Sequence, residues 1–162
     1  MRELRLPASV KRAAVTSPLE DLVLQILRDA MPDVKVGTLI PGEPGLWPKR
    51  DGLFVLVRRT ASQGVFSGQD RFLETAGITV NVFSHGPDGE EVCAFTSEAI
   101  RAFLRDAVKE GRYYPGLGAL TKIWLDDEPK REGDWATALG PVQYADLPKG
   151  WFRYETKFQV TA

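Results

Sequence analysis

His85 is the only histidine and Cys93 the only cysteine in the sequence. A histidine pair for a metal is therefore absent, and no HExxH spacing occurs. A nucleophilic triad would have to use His85 as its base, with Ser84, Ser67 or Ser97 as nucleophile. None of these serines stands in a GxSxG context. His85 itself opens His85-Gly86-Pro87-Asp88-Gly89, a run with the composition of a turn, and reads as a surface residue. One cysteine permits neither an intramolecular disulfide nor a thiol-rich zinc site. Cys93 falls among apolar residues of a predicted helix and reads as a buried structural thiol.

Asp126-Asp127-Glu128 is the best carboxylate cluster. Acidic groups at a strand end can hold magnesium and support phosphoryl chemistry. Adjacent strand residues point to opposite faces, however, so a paired site would need Asp51, Asp70 or Asp88 from elsewhere. The trio reads as a solvated acidic turn before Pro129. Gly64, Gly68 and Gly77 do not form a phosphate-binding loop, and Gly116-Leu117-Gly118 precedes no predicted helix. Trp47, Trp135, Tyr144 and Trp151 lie in or beside irregular stretches. They suit either interface centres, where aromatics are enriched, or folding back onto their own domain.

The elements that must position these groups follow from periodicity and punctuation. Ser17-Pro18-Leu19-Glu20 has the form of a capping box with proline at the first helical position. Leu19, Leu22, Val23, Ile26, Leu27 and Ala30 continue at helical spacing, which predicts a helix over about 18–30, ended by Met31-Pro32. An extended piece over 34–40 leads to a loop at 41–52. Leu53-Phe54-Val55-Leu56-Val57 is an unbroken apolar run, expected of a central strand covered on both faces. Residues 61–70 read as a mobile loop. A strand over 77–84 places Ile78, Val80 and Val82 on one face and Thr79, Asn81 and Phe83 on the other.

A second helix is predicted over about 90–110. Val92, Phe95, Ala99, Ile100, Phe103, Leu104, Ala107 and Val108 form its apolar face, and Glu98, Arg101, Arg105, Asp106 and Lys109 its outer one. Gly111 is its stop. A strand over 119–125 precedes a long irregular stretch at 126–143. The last strand, 151–160, alternates Phe152, Tyr154, Phe158 and Val160 against Arg153, Glu155, Lys157 and Gln159. The expected fold is α+β in the order α-β-β-β-α-β-β, with both helices on one face of an antiparallel or mixed sheet. The outer face, with Arg153, Glu155, Lys157 and Lys122, is then free for water or another subunit.

With 162 residues, 43% apolar and 27% charged, the chain suits one globular domain, 17–162, behind a basic arm at 1–16. A net charge of −1 argues against neutralising phosphates as the main work. No stretch approaches the ~20 apolar residues that span a bilayer, and the first residues lack a signal-peptide core. These features lead us to expect a protein made in the cytosol, without membrane, metal or cofactor.

Four features carry a resemblance, a pair of strands counting as one. They are the basic arm with the helix start Pro18-Leu19-Glu20-Asp21-Leu22-Val23, and the strands around Phe54-Val55-Leu56-Val57-Arg58-Arg59 and Gly77-Ile78-Thr79-Val80-Asn81-Val82-Phe83. The others are the helix Ala99 to Val108 and the final strand Tyr154-Glu155-Thr156-Lys157-Phe158-Gln159-Val160. In order and type, over about residues 15–162, this resembles the tail-terminator (tail-completion) proteins of long-tailed bacteriophages, particularly those of actinobacteria. The resemblance implies a non-enzymatic virion protein at the neck junction. It implies a homohexameric ring that caps the tail tube, ends its polymerisation and meets a neck or head-completion protein, with DNA only as cargo through the lumen. Another neck component, an adaptor or stopper, is the nearest alternative. A small metal-dependent hydrolase or nuclease using Asp126, Asp127 and Glu128 is one from another class, and a monomeric binding module using loops 41–52 and 126–143 is a third. Trp47, Lys49, Arg50, Arg58, Arg59 and Trp135 are the expected interface contributors, because Arg and Trp are enriched at hot spots.

Overall fold

A computed structural model describes residues 19–38, 53–62, 75–132 and 151–162. The order is α1 (Leu19–Ala30), β1 (Lys35–Gly37), β2 (Phe54–Ser62), β3 (Thr75–His85), α2 (Gly89–Glu110), β4 (Lys122–Glu132) and β5 (Trp151–Thr161). The strands form one five-stranded mixed sheet in the order β1-β2-β3-β5-β4. Only β1 and β2 run parallel; the other neighbours are antiparallel. The fold is α+β in the expected order.

Register sorts the two faces. Val55 lies opposite Val82, Val57 opposite Val80, and Ile78 opposite both Arg59 and Phe158. These apolar residues join Leu22, Val23, Ile26 and Leu27 of α1 and Cys93, Ile100, Leu104 and Ala107 of α2 in one core cluster. Both helices therefore cover the same face. Each large aliphatic side chain buried there contributes about 1.5–3 kcal/mol, which is what holds a helix as short as α1.

Local contacts fix how α1 sits. Arg28 donates from Nε (3.2 Å) and Nη2 (3.1 Å) to the Val36 carbonyl of β1. Glu20 accepts the backbone N–H of Arg59 on Oε2 at 2.7 Å, so its carboxylate is spent on β2. Ser17 and Pro18, the expected cap, lie outside the described residues. At the end of α2, Gly111 takes φ 58° and ψ 40°, and the cap bonds run to Ala107 and Val108 carbonyls. A left-handed residue here is cheap only for glycine.

The opposite face is less open than its polar side chains suggest. Phe54 and Phe83 are buried there, directly opposite each other with ring centroids 6.3 Å apart, and Leu56 is buried beside them. β2 is thus covered on both sides, as its unbroken apolar run requires. Arg153, expected to face water or a neighbour, is buried instead. Its Nη1 donates to Asn81 Oδ1 at 2.9 Å and to Glu155 Oε2 at 3.2 Å. Buried charge survives when it is paired and hydrogen-bonded in this way. Lys122 and Lys157, farther toward β4, do remain exposed.

β4 departs most from expectation. It begins at Lys122 and runs through Asp126-Asp127-Glu128-Pro129 to Glu132, where a turn was predicted. Register shifts between Leu125 and Asp127, and again between Asp127 and Lys130, mark β-bulges. Bulges on a strand paired on one side only can absorb a proline that lacks an N–H. The remainder of 126–143 lies outside the described residues, as do the arm at 1–16, the loop at 41–52 and residues 63–70.

Candidate interaction surface

Of the six residues expected to contribute to an interface, Trp47, Lys49, Arg50 and Trp135 lie outside the described residues. Arg58 and Arg59 are half-buried neighbours on β2, and alternation sends them to opposite faces. Arg58 pairs in register with Thr79 and donates from Nη1 to the Thr38 carbonyl at 3.2 Å. Arg59 pairs with Ile78 on the helix side. The two do not share one patch.

The carboxylate trio is drawn into the sheet edge. Asp126 Oδ2 accepts from Gln159 Nε2 at 2.7 Å, and Asp127 Oδ2 lies 3.6 Å from Lys157 Nζ. Gln159 and Lys157 share one face of β5, so the bulge has turned two consecutive aspartates to the same side. Simple alternation had placed them apart. Glu128 is exposed. Among the described residues, no group of three His, Cys, Asp or Glu side chains converges to hold a metal.

His85 is exposed at the end of β3. Cys93 is fully buried, its Sγ 3.4 Å from the Val82 carbonyl and 3.5 Å from that of Phe152. Burial pushes the thiol up to about 12, assisted by the Glu90 carboxylate and opposed by a hydrogen bond to the Ser84 backbone. Nearby, Glu90 Oε1 accepts from Tyr154 Oη at 3.3 Å, and Arg131 Nη1 lies 3.4 Å from Glu90 Oε2. The Arg131 guanidinium also stands over the Phe152 ring, 5.1 Å from its centroid. The Tyr154 phenol is held above its ordinary value, first by burial and then by Glu90. These groups fasten the start of α2 to the end of β4.

What sequence reading missed is on the outer side of α2 and the rim of β4. The buried stripe of α2 is Cys93, Ser97, Ile100, Leu104 and Ala107. Phe95, assigned to the apolar face, lies off that stripe and is 75% exposed. Trp124 is 46% exposed on β4. Between the last turns of α2 and the start of β4 runs a groove of about 470 Å³, lined by Arg105, Val108, Lys109, Lys122, Ile123 and Trp124. A signal for this was present: Glu91 and Glu98 bracket Phe95 at i−4 and i+3, so the aromatic sits on a charged face.

The chain is thus an α+β domain with a helix-covered mixed sheet, and among its described residues no helix is long and apolar enough to cross a membrane. No family model matches it, and no curated protein matches it either.

Proposed function

We propose that this chain is a structural virion protein that forms a homohexameric ring on the tail tube of a long-tailed bacteriophage. The ring ends tube polymerisation and offers its other side to a neck or head-completion protein, while DNA passes through the lumen. One observation carries the reading: the segments behind the resemblance to tail terminators take the element types it assigns them. Residues from Leu19 form a helix, the two apolar runs form the paired strands β2 and β3, α2 follows β3 directly, and the final segment is β5. Further support comes from the surface. The chain is nearly neutral, with a net charge of −1, which suits a lumen that lets DNA pass without gripping it. Ring subunits also need two different contact patches.

Negative-stain electron microscopy of the purified protein, alone and mixed with tail-tube protein, tests the proposal. Sixfold rings with a central hole, and tubes capped at arrested lengths, are expected. Tubes that keep growing at uncontrolled length with the protein present would overturn it.

A further inference from the structure

Two patches on the described surface complement each other, and one copy cannot join them to itself. The first is Phe95 with Glu91 and Glu98, at the N-terminal end of the outer face of α2. Phe95 is the most exposed large apolar side chain among the described residues. The neighbouring Glu90 is already engaged by Arg131 and Tyr154, whereas Glu91 is exposed and Glu98 has only a 3.9 Å contact with Arg101. The second patch is the groove at the other end of α2. Its lining joins apolar surface from Val108, Ile123 and Trp124 to Thr121 and three cations, Arg105, Lys109 and Lys122.

At about 100° per residue, Glu91, Phe95, Glu98, Arg105, Asp106 and Lys109 all fall within about 100° on the outer face of α2, with Arg105 and Lys109 toward the groove and Asp106 on the side of Phe95. From Phe95 to the level of residues 105–109 the rise is about 15–20 Å along a rigid helix. The aromatic therefore cannot reach its own groove. A second copy presents the acidic-flanked aromatic that a groove lined by apolar side chains and three cations fits.

We infer that the groove between α2 and β4 receives Phe95 of a second copy, with Glu91 and Glu98 of that copy set against Arg105, Lys109 and Lys122. The contact deepens the proposed ring reading by giving it one interface. Each copy that docks its Phe95 leaves its own groove open for the next, a head-to-tail arrangement that continues until rotation closes it. An exposed aromatic seated among desolvated neighbours has the character of a hot spot, and the surrounding charges set register and discourage wrong partners.

The test is the mass distribution of the full chain at increasing concentration, by sedimentation and mass photometry, for wild type and three variants. Phe95→Glu should weaken association by at least about tenfold, equivalent to ~1.4 kcal/mol. The pair R105E/K109E should do likewise, and adding E91K/E98K to that pair should restore association. Far-ultraviolet circular dichroism and unfolding midpoints control for folding; all five sites are exposed on α2. Association untouched by Phe95→Glu overturns the contact, as does a chain that stays monomeric at the highest concentration it tolerates. The mass itself reads the ring separately. A hexamer indifferent to these variants keeps the ring and removes this contact, whereas a dimer sensitive to them keeps the contact and removes the ring.

Discussion

Cys93 shows how one residue can be chemically silent by position. Its thiol is enclosed at the junction of α2, β3 and β5, with carbonyl oxygens of Val82 and Phe152 as its polar neighbours. The thiolate would lose its hydration there, so the proton is held to about 12 against an ordinary value of 9.0. In the unfolded chain the thiol ionises near its ordinary value. Between pH 9.0 and about 12 the unfolded state therefore binds fewer protons than the folded one, and stability falls as pH rises through that window. Below it, this contribution is fully present. Urea unfolding across that pH range should show wild type losing stability that Cys93→Ala does not lose. A thiol reagent should label Cys93 only as the protein unfolds; reaction at the rate of a free thiol in the native state near neutral pH would contradict the assignment.

At the scale of elements, the start of α2 is set by Gly89, which is buried against β5. A Cβ there would stand 2.7 Å from Phe152 Cδ2 and 3.2 Å from Cε2. Gly89→Ala should therefore cost about 1–3 kcal/mol by overpacking, more than the ~1 kcal/mol that alanine gains in helix propensity. In a Phe152→Ala background the ring is gone and the cost should shrink. Denaturant midpoints for both singles and the double variant measure this coupling, and an undiminished cost would show that the ring is not the obstacle. The same scale shows what sequence could reveal. The continuous apolar run at 53–57 required a strand covered twice, and β2 is one. The ends of α2 were marked by the turn run from His85 to Gly89 and by Gly111, and the alternation in β5 assigned both its faces. β4 was not legible past Leu125, because Asp-Asp-Glu-Pro has turn composition and only its pairing with β5 reveals two bulges. Phe95 was misassigned because a broad apolar arc admitted it, although the core takes the Cys93-to-Ala107 stripe with Phe103 and Val108 packed at its sides. Nor could the burial of Arg153 be read, since it depends on Asn81, 72 residues away in the chain.

The whole molecule is close to neutral, with 21 basic and 22 acidic side chains, so long-range repulsion between copies is small. What the described surface offers instead is local charge: Glu91 and Glu98 around Phe95 at one end of α2, and at the other end Arg105 and Lys109 on the groove side, with Asp106 and Glu110 exposed in the same turns but outside the groove lining. If copies meet through these ends, association has an electrostatic part and an apolar part, and salt separates them. The screening length falls from roughly 30 Å at 0.01 M to 3 Å at 1 M salt. The association constant should therefore fall as sodium chloride is raised, steeply at first and then levelling where the apolar seat of Phe95 remains. In R105E/K109E that dependence should reverse, because Glu91 and Glu98 then meet like charges whose repulsion salt relieves. Sulfate strengthens apolar burial and should raise the plateau in wild type but not in Phe95→Glu. Sedimentation across a salt series reads all of these. An association indifferent to chloride, or equally salt-dependent in wild type and R105E/K109E, would place the contact between copies somewhere other than the ends of α2.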